Sequence, residues 1–289
     1  MLSRAFVAGV GASVVSMAAI LPAVAAGPDV ITVTNNATCS APGSLEDALI
    51  AANASTNAEG VRIVFDASLA GTGGIEFTGA TCKMHSDPVG APGGNHQRPG
   101  QLGARFLVDS QVPVTIDFSN LDDITTTSDA DFATFLVASD NVRLENLKNL
   151  QAGAAGIAIS GSNVTVDNVD QSDPSTIIAE TGVAILDGAS NVTISNSDFA
   201  SQWWASILID GSTTQDSTVS NIVIDNVTSR GVESGIGHID IEDRTTVNGL
   251  TVRNSTFGVL DAETSTSHAV YFNTALKLNN FSYTGNKVE

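Results

Sequence analysis

Basic residues are scarce in this chain, cysteine is nearly absent, and helical periodicity is missing from most of its length. Lys and Arg together number 12 against 31 Asp and Glu, a formal charge of −19. Such a surface repels polyphosphate, which removes nucleic acid from the expected partners. It also repels polyuronates, unless a divalent cation bridges the two. The two cysteines, Cys39 and Cys82, lack the CxxC spacing of a metal or redox site. In an exported chain such a pair reads as a disulfide staple near the mature N-terminus. No segment between the short apolar strands has a helical period long enough for a crossover helix, so a helix-covered parallel sheet is disfavoured.

The one long apolar run lies at the start. Arg4 supplies a positive end, Phe6 to Leu21 an apolar stretch, and Ala23-Val24-Ala25 a small-residue cleavage site. This predicts a signal peptide over residues 1–25 and a secreted protein, extracellular or periplasmic. The stretch is short for the roughly 20 residues that span a bilayer, and no basic stop-transfer cluster follows, so no membrane span is expected after cleavage.

What the mature chain does have is repetition. The phrase Asn141-Val-Arg-Leu-Glu-Asn146 returns as Asn163-Val-Thr-Val-Asp-Asn168, Asn191-Val-Thr-Ile-Ser-Asn196 and Asn221-Ile-Val-Ile-Asp-Asn226. Weaker copies are Gly249 to Asn254 and Phe281 to Asn286, which makes the steps 22, 28, 30, 28 and 32 residues. Between the phrases lies a second alternating segment: Gly156 to Ser160, Gly182 to Leu186, Ser206 to Asp210, His238 to Glu242, and Ala269 to Asn273. Each repeat thus holds at least two period-2 strands with Gly, Ser, Asn or Asp at the turns. An elastic repeat of this length, without the four strands of a propeller blade, predicts one coil per repeat, stacked at about 4.8 Å. Asn suits the bends because it tolerates left-handed backbone, and its amide can both donate to and accept from the amide one coil away.

The N-terminal part reads as a cap. Ile31 to Thr34 is strand-like, and Gly43 to Asn53 is an amphipathic helix with Ser44 placed to cap it over Leu45, Leu49 and Ala52. A helix there would close the open end of a stacked array, which otherwise exposes backbone and core. The expected division is therefore a signal peptide over 1–25, strand and capping helix over 26–60, and a spiral over 61–289.

The segment from Thr32 through Asn53 and the Asn-Val-x-Ile-x-Asn phrases resemble secreted bacterial right-handed parallel β-helix repeat proteins, within the pectin-lyase-like superfamily. The resemblance covers nearly all the mature chain and implies an all-β right-handed parallel β-helix, a solenoid with a short N-terminal capping helix. It leaves function open, because that architecture hosts lyases, hydrolases, epimerases, adhesins and phage tailspikes.

Strand alternation then predicts the outward side chains. If Ile157/Ile159 and their counterparts point inward, one outward column reads Gly156, Gly182, Ser206, His238, Ala269. The next reads Ala158, Ala184, Leu208, Asp240, Tyr271, and a third Ser160, Leu186, Asp210, Glu242, Asn273. Asp210, His238, Asp240 and Glu242 gather on this reading into a candidate catalytic face, with His238 as a base and the carboxylates as acids. Asp210, Asp240 and Glu242 are candidate ligands for calcium. Trp203 and Trp204, the only tryptophans, together with Tyr271 and Arg244, are candidates for binding a sugar, since an aromatic ring stacks on the C–H face of a pyranose. Gly235 to Ile241 is similar to the His-bearing coil of polygalacturonases, but the preceding repeats lack that family's paired aspartates. Arg244 and Arg253 are the bases that pectate-lyase-type elimination would need, although Arg253 can instead pair with Asp225 one coil away. His85 and His96 fall in a Gly/Pro-rich loop without strand pattern. Two functions follow: a secreted protein acting on polysaccharide or cell-surface glycan as lyase or hydrolase, or a non-catalytic adhesin-like or structural β-helix.

Overall fold

The asparagine phrases fold as the spacing requires. In the computed structural model, Asn141, Asn163, Asn191 and Asn221 all have positive φ (59°, 57°, 53° and 56°), as do Asn146, Asn168, Asn196 and Asn226 at the far ends of the same phrases. Each phrase is one strand bracketed by two left-handed corners, and Asn meets that backbone at lower cost than β-branched residues. Along one corner the amides bond in series: Asn163 donates to Asn141 at 3.1 Å, Asn191 to Asn163 at 2.9 Å and Asn221 to Asn191 at 2.9 Å. At the other corner the series is interrupted, because Asn196 donates to Asp167 and Asn254 to Asp225.

The structure describes residues 27–78, 84, 103–127, 132–151, 155–172, 179–209, 216–232, 237–242, 244–258, 268–273 and 277–289. The leader expected over residues 1–25, the loop histidines His85 and His96, and Asp210 lie outside them. Among the described residues the strands form parallel sheets in which every neighbour is one repeat away. The Asn-flanked strands belong to a nine-stranded sheet running from Asp29–Val33 through Ser162–Asp167 and Ser190–Ser195 to Lys277–Thr284. The second strand of each repeat belongs to another long sheet, together with a third, shorter segment that follows later Asn corners, such as Asp170–Gln171, Thr228–Val232 and Thr256–Gly258, while Leu150–Gln151 after the Asn146 corner pairs in a separate three-stranded sheet. That third segment falls within the expectation of at least two strands per repeat.

Alternation places the core. Val164 and Val166, Val192 and Ile194, Ile222 and Ile224, and Leu250 and Val252 are buried against Ile157 and Ile159, Val183 and Ile185, Ile207 and Ile209, and Ile239 and Ile241. A β-branched or Leu side chain on each inward position stacks on its equivalent one rung away, which gives a continuous core with no repeat able to bury its face alone. At the N-terminal end, helix Leu45–Asn53 buries Leu45, Ala48, Leu49 and Ala52 against strands Asp29–Val33, Val61–Phe65 and Gly103–Val108. The Ser44 hydroxyl accepts from the Asp47 N–H at 3.2 Å, which satisfies one orphan donor of the helix start, and the Asp47 carboxylate accepts from the Gly43 N–H of the preceding turn at 2.9 Å. No helix among the described residues is long and apolar enough to cross a membrane.

Candidate functional site

The expected rung register holds at the candidate face. Ala158 pairs with Ala184, Ala184 with Leu208, Leu208 with Asp240, and Asp240 with Tyr271. Asp240 therefore stands between Leu208 and Tyr271, with Glu242 two residues along the same strand edge on the same side. The Asn273 amide donates to Glu242 at 3.1 Å, which ties the next rung to this column pair.

Trp204 reaches Asp240 through a break in the ladder. Trp203 and Trp204 both lie within strand Asp198–Ile209. Ala179 pairs with Gln202 and Thr181 with Ala205, so Glu180 alone is faced by both tryptophans. This is a β-bulge, and a bulge re-aims the side chains next to it. The half-buried Trp204 packs on the small-residue patch of Ala158, Ala184, Leu186 and Leu208, and its indole N–H donates to the Asp240 carboxyl. The side chain of Trp203 lies outside what the structure describes.

The surroundings make Asp240 an unusual acid. It is 1% exposed, and its Oδ1 is buried without a protein partner. Burial pushes its pKa from the usual 3.8 up to about 7, the Glu242 charge adds to the rise, and the bonds from Trp204 and the Ile241 N–H oppose it. Around it, Trp204, Tyr271, Glu242 and Asn273 are half-buried and form a rim to which solvent has access.

His238 is not part of that face. The column Gly156, Gly182, Ser206, His238 was expected to point outward, but it faces the rod interior, where the third segment of each repeat comes close. Gly156 and Gly182 show the approach: a Cβ on Gly156 would lie 2.2 Å from Gln171 Nε2, and one on Gly182 would lie 2.8 Å from Phe199 Cδ1. Two rungs on, the matching position is Ser229, whose Oγ is 2.5 Å from Ser206 Oγ and 2.6 Å from His238 Nδ1. The imidazole also lies 5.7 Å from the Phe257 ring, and its 2% exposure depresses its pKa from 6.5 to about 4. A neutral, enclosed imidazole bonded to a core serine holds the interior together. Its partner was not foreseen; the signal was Ser229 itself, a hydroxyl in register with Phe199 and Phe257, one apolar neighbour on each side.

Arg244 goes elsewhere too. It is exposed, has a φ of 65°, and its Nε lies 3.3 Å from Asp216. Arg253 pairs with Asp225 at 2.7 Å, the cross-rung alternative to a role as base. Among the described residues no group of three or more His, Cys, Asp or Glu could hold a metal ion. The calcium set thus reduces there to Asp240 and Glu242, with Asp210 outside the described residues. Cys39 is not a free thiol, and Cys82 likewise lies outside them.

No curated protein sequence matches this chain. Among solved structures it is similar to an alginate lyase from Paenibacillus sp. str. FPU-7, at 15% identity and a TM-score of 0.43 over 89% of this chain and 97% of that one. It is also similar to the pectate lyase Pel9A, at 16% identity and a TM-score of 0.38 over 91% of this chain and 79% of that one. The family model described as the right-handed beta helix region matches residues 109–281, well over half of the chain. Together with the parallel ladders and asparagine corners, that match makes the chain a member of the right-handed β-helix family.

Proposed function

We propose that this protein acts on polysaccharide at the face around Asp240, with Asp240 giving a proton to a glycosidic oxygen and Glu242 serving as the second carboxylate. The observation that supports this reading is a buried carboxyl whose pKa is pushed up to about 7 beside a second carboxylate and an indole. An acid that keeps its proton near neutrality can protonate a leaving oxygen, and an ionised neighbour can act as base or nucleophile. Trp204 and Tyr271 at the rim offer rings for the apolar face of a sugar. Secretion directed by residues 1–25, a Cys39–Cys82 bridge, and a cap over 26–60 before the spiral of 61–289 belong to the same proposal, since a polysaccharide substrate lies outside the cell.

The competing reading is a non-catalytic extracellular rod, and the 1% exposure of Asp240 favours it. Incubation with neutral and acidic polysaccharides, in Ca²⁺ or in EDTA, separates the two. The proposal predicts new reducing ends that disappear in Asp240→Asn. Unsaturated products would assign a lyase instead, and no turnover of any substrate by the wild-type protein would leave the rod.

A further inference from the structure

Resting on that reading, we infer that the polysaccharide met at the Asp240 face is uncharged. Among the described residues, the groups lining the face carry acidic or neutral chemistry: the carboxyls of Asp240 and Glu242, the amide of Asn273, the indole of Trp204 and the phenol of Tyr271. The Asp240 Oδ1 has less than 1 Å² of accessible surface and no protein partner, so a buried polar atom on the outward column awaits a bond from something else. A sugar hydroxyl matches it in either protonation state, because a hydroxyl both donates and accepts. The carboxylate of a uronate only accepts, and would face the Glu242 charge as well.

Among the described residues, five arginines that could offset such a carboxylate are already committed. Arg62 bonds Asp117 at 2.8 Å and Glu145 at 3.2 Å, Arg143 bonds Glu145 and Asp167, and Arg230 bonds Asp198 at 2.7 Å. Arg244 and Arg253 are held by Asp216 and Asp225. Each solvent-facing guanidinium named here lies against a carboxylate of its own chain, so an anionic polymer would have to displace that carboxylate. The chain as a whole, at a formal −19, repels the polymer during approach.

The test is binding of the purified protein to matched neutral polysaccharides (a β-glucan, a mannan, a xylan) and polyuronates (polygalacturonate, alginate), each in EDTA and in Ca²⁺. The expected result is binding of at least one neutral polymer in EDTA, tighter than either polyuronate by about tenfold or more and insensitive to added salt. Trp204→Ala should weaken that binding by about tenfold, the scale of one lost aromatic stacking contact. Because Trp204 also packs on the alanine patch, Tyr271→Ala carries the same expectation should Trp204→Ala fail to fold. Polyuronate binding as tight as neutral binding, whether in EDTA or only with Ca²⁺, overturns the inference and leaves the proposed function standing. Neutral binding unchanged in both variants also overturns it, since the face would then be elsewhere. Failure to bind any polymer removes the proposed function along with the inference.

Discussion

Replacing Asp240 by Asn should uncover a pH dependence of stability that the wild-type protein conceals. Two buried groups titrate in opposite senses. His238, with its pKa depressed from 6.5 to about 4, contributes stability that is complete above pH 6.5 and lost as pH falls toward 4. Asp240, with its pKa raised from 3.8 to about 7, contributes stability that is complete below pH 3.8 and lost as pH rises through 7. At ~1.4 kcal/mol per pH unit, the Asp240 interval is worth about 4 kcal/mol and the His238 interval about 3 kcal/mol. Between pH 4 and 6.5 the two slopes therefore oppose each other and nearly cancel. Asp240→Asn keeps an acceptor for the Trp204 N–H and removes one slope, so only the His238 term remains. Urea unfolding of both proteins at about pH 4.5 and about pH 6.5 should show the variant gaining about 3 kcal/mol relative to wild type at the higher pH. Surface carboxylates held low by hydrogen bonds and arginines, such as Asp117, Asp167 and Asp225, titrate alike in both proteins and drop out of the difference. A variant-minus-wild-type difference that is the same at both pH values would refute the reasoning.

Other consequences concern the corners and the core. Asn191→Ala removes two ladder bonds at 2.9 Å and puts a Cβ-bearing residue without a polar side chain at φ 53°, at an expected cost of about 2 kcal/mol, while Asn191→Gly should cost about half that. Denaturant midpoints of the two variants measure the backbone and ladder contributions separately. Gly182→Ala brings a methyl to 2.6 Å from the Ser206 carbonyl oxygen and 2.8 Å from Phe199 Cδ1, and should lower stability by about 1–3 kcal/mol through overpacking. Under denaturing conditions, intact mass before and after reduction should differ by two hydrogens if Cys39 and Cys82 are bridged; an unchanged mass removes the bridge.

The architecture was legible because one residue type marked each corner. Asn tolerates positive φ and carries an amide, so its spacing located the strands, and counting alternate residues from it gave the register in which Asp240 neighbours Leu208 and Tyr271. The same counting failed for His238. Alternation assigns a side chain to one face or the other, but it does not say what that face meets. The third segment, as short as Asp170–Gln171, folds its Gln171, Phe199, Ser229 and Phe257 toward the column that His238 occupies. Gly156 and Gly182 share that column, and their missing side chains mark the close approach. Trp204 escaped for a related reason. A bulge adds one residue to one strand alone, and only the partner strand reveals that Glu180 faces two residues.

The account depends most on Asp240 holding its proton near neutral pH beneath the Trp204 indole. A carboxyl ¹³C titration of the protein, with the resonance assigned by its loss in Asp240→Asn, measures this directly. The predicted midpoint is about 7, falling toward the usual range in a variant without the Glu242 charge, Glu242→Gln. A midpoint near 3.8 in the wild-type protein would mean that the carboxyl is ionised and solvated, and the acid assigned to this face would not exist.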